Sequence, residues 1–110
     1  MELNILFMII WLHFIADFVL QSTKMGLNKW NSLKWLGFHC SVYTIPFFYF
    51  GWKFALITGG LHFIVDFISS KMTHHLWEKK EVHWFFVVIG WDQAIHFSCL
   101  LLTLRYLGMI

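Results

Sequence analysis

The first twenty residues form an apolar stretch that is long enough to cross a lipid bilayer and that carries an aspartate in its interior. Residues 3–20, LNILFMIIWLHFIADFVL, contain only three polar side chains, Asn4, His13 and Asp17. A transmembrane helix needs about 20 predominantly apolar residues, so we predict a first span over residues 3–22. The stretch has no basic N-terminal region and no small-residue cleavage pattern, which argues against a secretory signal peptide.

Three more apolar runs follow, and they predict spans over residues 35–50, 54–70 and 84–104. Pro46 lies inside the second of these spans, which membrane helices tolerate. The polar, aromatic-dotted residues 71–83 are predicted to lie at the membrane interface. Of the 110 residues, 59% are apolar and only 13% are charged, whereas a soluble domain has about 25% charged residues.

These features predict an all-α, polytopic membrane protein with four antiparallel transmembrane helices in a single domain, residues 1–110. The lipid bilayer is then its main partner. A formal net charge of +2 provides no strong basic surface, so no nucleic-acid partner is expected.

The distribution of basic residues predicts the orientation of the chain in the cell (inner) membrane. Only Lys53 and Arg105 lie on the side of the membrane that holds the termini. The two long connectors carry six lysines: Lys24, Lys29, Lys34, Lys71, Lys79 and Lys80. By the positive-inside rule, the long connectors are cytoplasmic and both termini lie outside.

A six-residue motif occurs twice. The hexapeptide at residues 13–18, HFIADF, recurs at residues 62–67 as HFIVDF, with five identities and a separation of 49 residues. The repeat predicts two helical hairpins in the same orientation, related by an axis along the membrane normal.

Each predicted membrane aspartate has a histidine four residues away on the same helix face. The pairs are His13 with Asp17, His62 with Asp66, and His96 with Asp92. An aspartate near the centre of a span costs about 2.5–3.5 kcal/mol on insertion scales. In all three spans the aspartate lies nearer the cytoplasm, with the histidine about 6 Å deeper, so the pairs form two stacked layers.

Imidazoles and carboxylates together are ligands for transition metals. The candidate metal ligands are the three pairs and one histidine at the cytoplasmic end of span two: His13, Asp17, His39, His62, Asp66, Asp92 and His96. The expected cofactor is a divalent transition metal, Zn²⁺ first, with Mn²⁺ or Fe²⁺ as alternatives. Two other interpretations remain open at this stage: a proton or ion pathway, and a buried hydrogen-bond network that only holds the helices together.

The chain resembles a small integral-membrane family of bacteria and their phages that is catalogued as a domain of unknown function. The matching segments are HFIADFVLQ (13–21), Lys29, HCSVY (39–43), HFIVDFISSK (62–71) and DQAIH (92–96). The resemblance implies a four-helix membrane domain with a shared polar centre. A more distant similarity to bacterial membrane-bound metal-dependent hydrolases favours hydrolysis by analogy.

The first functional hypothesis is a metal-dependent hydrolase whose intramembrane site opens to the cytoplasmic side. A bound metal lowers the pKa of water and polarises a phosphoryl or carbonyl oxygen. Whichever of Asp17, Asp66 and Asp92 is not a ligand serves as the general base. The expected substrate is lipid-linked or anionic. The alternative is a small transporter or ion/proton channel, which would work as a homo-oligomer and use the same cluster as a proton relay.

Overall fold

The computed structural model describes residues 2–110, and within this range all regular secondary structure is helical. The predicted all-α fold is confirmed. The elements are α1 (Glu2–Phe14), which continues directly into a π-helical segment (Ile15–Val19); α2 (Thr23–Asn28); α3 (Leu33–Phe47), followed by a 3₁₀ turn (Phe48–Phe50); α4 (Trp52–Glu78); and α5 (Val82–Tyr106).

Three helices are long and apolar enough to cross a membrane: Glu2–Val19, α4 and α5. The second predicted span, residues 35–50, is covered by α3, whose 15 residues rise by only about 22 Å, less than the roughly 30 Å of a bilayer's hydrocarbon core. Large apolar side chains such as Trp11, Ile64 and Leu102 lie exposed on the outside of the helices, as expected for a surface in contact with lipid.

Some helices begin and end at other residues than the predicted spans, because of side-chain capping and backbone geometry. The Ser22 hydroxyl accepts a hydrogen bond from the backbone amide of Met25 at 3.2 Å, which starts α2 by N-capping. Helix α4 continues to Glu78, so most of the stretch predicted as an interfacial connector, residues 71–83, extends α4. The link to α5 then turns within three residues, where Lys80 adopts a φ of 59°.

Helix α4 is central, because it packs against both α3 and α5, while α1 contacts α3 and α5 less extensively. At the α3–α4 contact, a Cβ added to Gly59 would overlap the Thr44 side chain, so glycine is required for this close approach. An apolar core that includes Ile9, Phe47 and Leu104 fills the half of the bundle near the chain termini. The polar residues therefore collect in the other half, toward the connectors.

Candidate metal centre

The structure brings all seven predicted ligand residues into one polar cluster. They come from five elements: His13 from α1, Asp17 from the π-helical segment, His39 from α3, His62 and Asp66 from α4, and Asp92 and His96 from α5. Six of the seven are buried, and the Asp92 side chain retains 13% exposure.

Four side-chain atoms of this cluster converge on one point; we call them the four-donor set. They are Asp17 Oδ1, His39 Nε2, His62 Nε2 and Asp66 Oδ2. His39 Nε2 lies 3.1 Å from Asp17 Oδ1, 3.2 Å from Asp66 Oδ2 and 3.2 Å from His62 Nε2. His62 Nε2 lies 3.5 Å from Asp17 Oδ1 and 3.2 Å from Asp66 Oδ2. A tetrahedral zinc ion with bonds of 2.0–2.1 Å separates neighbouring ligand atoms by about 3.3–3.4 Å, so these distances fit such an ion.

Hydrogen bonding alone does not satisfy the four-donor set. Each imidazole Nε2 carries at most one hydrogen, yet His39 Nε2 faces three electron-rich atoms at 3.1–3.2 Å. The two nitrogens that face each other cannot both donate without bringing their hydrogens together. A cation between the four atoms removes this conflict. The Nδ1 atoms of His39 and His62 are buried and have no hydrogen-bond partner among residues 2–110.

A second group of contacts lies beside the four-donor set. His96 Nε2 is 3.0 Å from Asp66 Oδ1 and 3.2 Å from Asp92 Oδ1. The Ser69 hydroxyl donates to Asp92 Oδ1 at 2.6 Å, and the Gln93 amide donates to Asp92 Oδ2 at 3.1 Å. Asp66 therefore faces His39 and His62 with one carboxylate oxygen and His96 with the other. Asp92 is held in place by Ser69, Gln93 and His96.

His13 belongs to the cluster but lies outside the four-donor set. Its Nδ1 is 2.9 Å from the Tyr43 hydroxyl, its Nε2 is 2.8 Å from Gln93 Oε1, and the closest Asp17 oxygen is 3.6 Å away. Both ring nitrogens of His13 are thus engaged by neutral partners. His39 was expected at the cytoplasmic edge of the cluster, but its side chain is fully buried and its Nε2 is central to the four-donor set.

Sequence reasoning assigned Lys29 to membrane topology, whereas the structure places its side chain in the cluster. Lys29 Nζ lies 3.1 Å from Asp66 Oδ2. Burial acts to lower the pKa of this ammonium group, but the Asp66 and Asp17 carboxylates outweigh it and raise the pKa above its ordinary value. Lys29 therefore remains positively charged. A signal was present in the sequence, because Lys29 is one of the matching positions of the family resemblance.

The connector that carries Lys29 is attached to α4 by its next residue, Trp30. The Lys71 ammonium donates to the Trp30 carbonyl at 2.8 Å. The Trp30 ring stacks on His74, with ring centroids 3.4 Å apart and planes 7° apart. These contacts hold Lys29 over Asp66.

A cavity of about 630 Å³ reaches the cluster from the connector side. Its polar floor includes Lys29 and all three aspartates, Asp17, Asp66 and Asp92. Its apolar lining is Phe18, Leu27, Trp30, Trp77, Phe85, Phe86 and Ile89. The histidines of the cluster do not line the cavity. The carboxylates therefore separate the cavity from the imidazoles, in agreement with the two layers expected from the sequence.

The chain belongs to DUF3307, a family of proteins of unknown function. The sequence pattern of the family matches residues 5–109. This confirms the expected membership of a family without an assigned function. No curated protein and no solved structure matches the chain.

Proposed function

We propose that this DUF3307 protein is a membrane-embedded metalloprotein of the cell membrane that hydrolyses a substrate reached from the bilayer. The observation that carries the proposal is the geometry of the four-donor set. Two imidazole nitrogens and two carboxylate oxygens come together from three separate helical stretches of the chain, and five of their six mutual distances are 3.1–3.5 Å, which fits a tetrahedral Zn²⁺.

The burial of the cluster supports a functional role. Ionisable side chains inside a membrane are costly and mark functional sites by default. Here three carboxylates face a single lysine. With neutral imidazoles, this leaves two negative charges, which one divalent cation neutralises. Zn²⁺ fits the mixed nitrogen and oxygen donors and the four-coordinate geometry; Mn²⁺ and Fe²⁺ accept the same donor types.

In the arrangement we propose, α3 crosses the membrane together with the three longer apolar helices, and both connectors face the cytoplasm. The cavity then opens at the cytoplasmic side. At the opposite end, the side chains of Phe47, Phe54 and Leu104 are fully buried in the apolar core. This core closes the polar cluster on that side. A one-sided site suits an enzyme better than a conduit through a single chain.

The cavity-facing side chains have different roles in the proposed reaction. The four-donor set would hold a Zn²⁺ ion, which would act as a Lewis acid and lower the pKa of a water molecule bound as a fifth ligand. Asp92 lies outside the four-donor set, borders the cavity and is the most exposed of the three aspartates, so it is the general base. Ser69 and Gln93 orient its two oxygens. Lys29 lines the cavity and attracts the anionic part of the substrate.

The metal site is tested by purifying the protein in detergent without added metal and determining bound metals by elemental analysis. We expect one equivalent of Zn²⁺, Mn²⁺ or Fe²⁺ per chain. Asp66→Asn removes a ligand charge while keeping its size, and we expect metal affinity to fall at least 10- to 100-fold. Wild-type protein without stoichiometric metal, even after addition of Zn²⁺, overturns the proposal.

Hydrolysis is tested separately with Asp92→Asn, using dodecyl 4-nitrophenyl phosphate and release of 4-nitrophenol. The variant should keep its metal and lose most of its activity, because Asp92 acts on the water ligand and is absent from the four-donor set. A metal-containing wild-type protein that never releases 4-nitrophenol contradicts phosphodiester hydrolysis. If reconstituted vesicles instead show proton-dependent ion flux, the transporter hypothesis is favoured.

A further inference from the structure

We infer that the cavity binds a lipid phosphate, with the head group on the polar floor and the chain leaving sideways into the bilayer between the π-helical segment and α5. This inference rests on the proposed function, because it places the helices in a membrane and a divalent cation in the four-donor set.

The first observation is a gap in the helix packing. Helix α5 packs along α4 and makes close backbone contacts with α1, but no Cα atom of the π-helical segment lies within 8 Å of α5. In the described part of the chain, the two elements approach each other through side chains, such as Gln93 Nε2 and Asp17 Oδ2 at 3.5 Å. The backbones of the two elements are therefore separated beside the aspartates, and the cavity lies against both of them there.

The second observation is the exposure of the side chains on either side of this gap. Phe18 of the π-helical segment and Phe86 of α5 both line the cavity, and their side chains are 47% and 61% exposed. Two large, accessible aromatic rings, one from each element, therefore border the cavity at this gap. A lipid chain can pass between them without leaving an apolar environment.

The third observation is the charge of the cavity floor, which selects the head group. Lys29 contributes an ammonium group, and with neutral imidazoles the three aspartates leave two unbalanced negative charges. A bound divalent cation balances these charges and offers a second positive centre beside Lys29. Phosphate oxygens are attracted to two such centres. Without a cation in the four-donor set, three carboxylates face one ammonium group on the floor, so we expect binding of the lipid phosphate to require the metal.

The size of the cavity agrees with this ligand. About 630 Å³ lies within the roughly 300–1,000 Å³ typical of small-molecule pockets. It accommodates a head group and the first part of one chain, and the rest of the chain remains in the bilayer.

The test uses a dodecyl phosphate with a photoreactive diazirine in its chain, added to the full-length protein in phosphatidylcholine nanodiscs with and without Zn²⁺. We expect zinc-dependent labelling of peptides that contain Phe18 and Phe86. Unlabelled dodecyl phosphate should compete, whereas dodecanol and inorganic phosphate should compete at least 10-fold more weakly. Labelling spread evenly over the lipid-facing surface overturns the inference. So does inorganic phosphate or dodecanol competing as well as the lipid.

Two matched variants locate the pathway. Ile89→Trp places a larger side chain in the cavity lining, whereas Val87→Trp places the same side chain on the lipid-facing surface, away from the cavity. We expect Ile89→Trp to weaken dodecyl phosphate binding at least 10-fold and Val87→Trp to leave it unchanged; equal effects contradict the inference. Zinc content is measured in the same samples. Zinc bound without site-selective labelling overturns the lipid inference alone, while absence of zinc from the wild-type protein overturns the proposed function.

Discussion

The two copies of the repeated hexapeptide differ by a single residue, yet they adopt different backbones. The second copy, residues 62–67, lies within the regular helix α4. The first copy, residues 13–18, passes from α-helix into the π-helical segment, where the Leu20 amide donates to the Ile15 carbonyl five residues earlier. π-Helical turns are rare and occur frequently at functional sites. Here the π-helical segment carries Asp17.

The copies also use their histidines differently. In the second copy, both His62 and Asp66 belong to the four-donor set. In the first copy only Asp17 does, while His13 is hydrogen-bonded to neutral partners, and His39 of α3 supplies the remaining nitrogen. Identical residues at identical spacing thus share a helix face but not a chemical role. The chemical role of each histidine depends on the side chains that the neighbouring helices bring into contact with it.

The largest expected difference between the copies concerns Lys29, because its ammonium group contacts Asp66 of the second copy directly. Lys29→Met keeps an unbranched side chain that is one atom shorter and leaves a buried carboxylate without its cation. Removing one partner of a buried ion pair costs about 3–5 kcal/mol, so the metal-free protein should lose stability by this amount. Lys24→Met, at an exposed position, serves as the control.

Unfolding of metal-free protein in detergent micelles, as a function of pH, measures this effect. The folded-state pKa of Lys29 is raised, so its contribution is complete below its unfolded pKa of about 10.4 and is lost as pH rises through the folded value. The stability difference should therefore be constant from about pH 6 to 9 and shrink in more alkaline solution. Equal stability of both variants at neutral pH would show that the ion pair contributes nothing.

The next prediction compares the two histidines of the repeat. His62→Gln removes an atom of the four-donor set, so metal affinity should fall at least 10- to 100-fold. His13→Gln changes a residue of equal burial in the matching position and should keep wild-type affinity, because His13 contacts Tyr43 and Gln93 instead. Competition with a chromophoric chelator measures both affinities. If His13→Gln lost more metal affinity than His62→Gln, the metal ligand would be the histidine of the first copy and not that of the second.

The sequence predicted the helical fold and the residues of the cluster, because apolar length and the i, i+4 spacing of Asp and His depend only on helix geometry. It did not predict which histidines would converge. That depends on how α3 and α4 meet, and there His39 and His62 approach within 3.2 Å. The π-helical segment and the ion pair of Lys29 also depend on tertiary contacts, since a lysine in a connector is by itself a topology signal.

A smaller loss of stability is expected from a substitution at the position three residues before the second copy. Gly59 precedes the second copy and lies against Thr44 of α3, whereas the matching Ile10 is exposed. Gly59→Ala should cost about 1–3 kcal/mol by overpacking. In Gly60→Ala the added Cβ meets nothing within 4 Å, so this control should be neutral or stabilising by up to about 1 kcal/mol. Thermal unfolding in micelles compares the two. Equal costs would contradict the close α3–α4 approach.

The smallest effect is expected from exchanging the one residue that distinguishes the copies. Ala16 is fully buried in the first copy, whereas Val65 of the second copy is partly exposed. Ala16→Val inserts two carbons into packed surroundings and should cost about 1 kcal/mol, the lower end of the overpacking range. Val65→Ala removes carbons that partly face lipid, and lipid tails fill the space that these carbons leave. This variant should therefore lose less stability than Ala16→Val. The two unfolding temperatures, measured in the same micelles, test this asymmetry. If Val65→Ala were the more destabilising variant, packing around the second copy would be the tighter of the two.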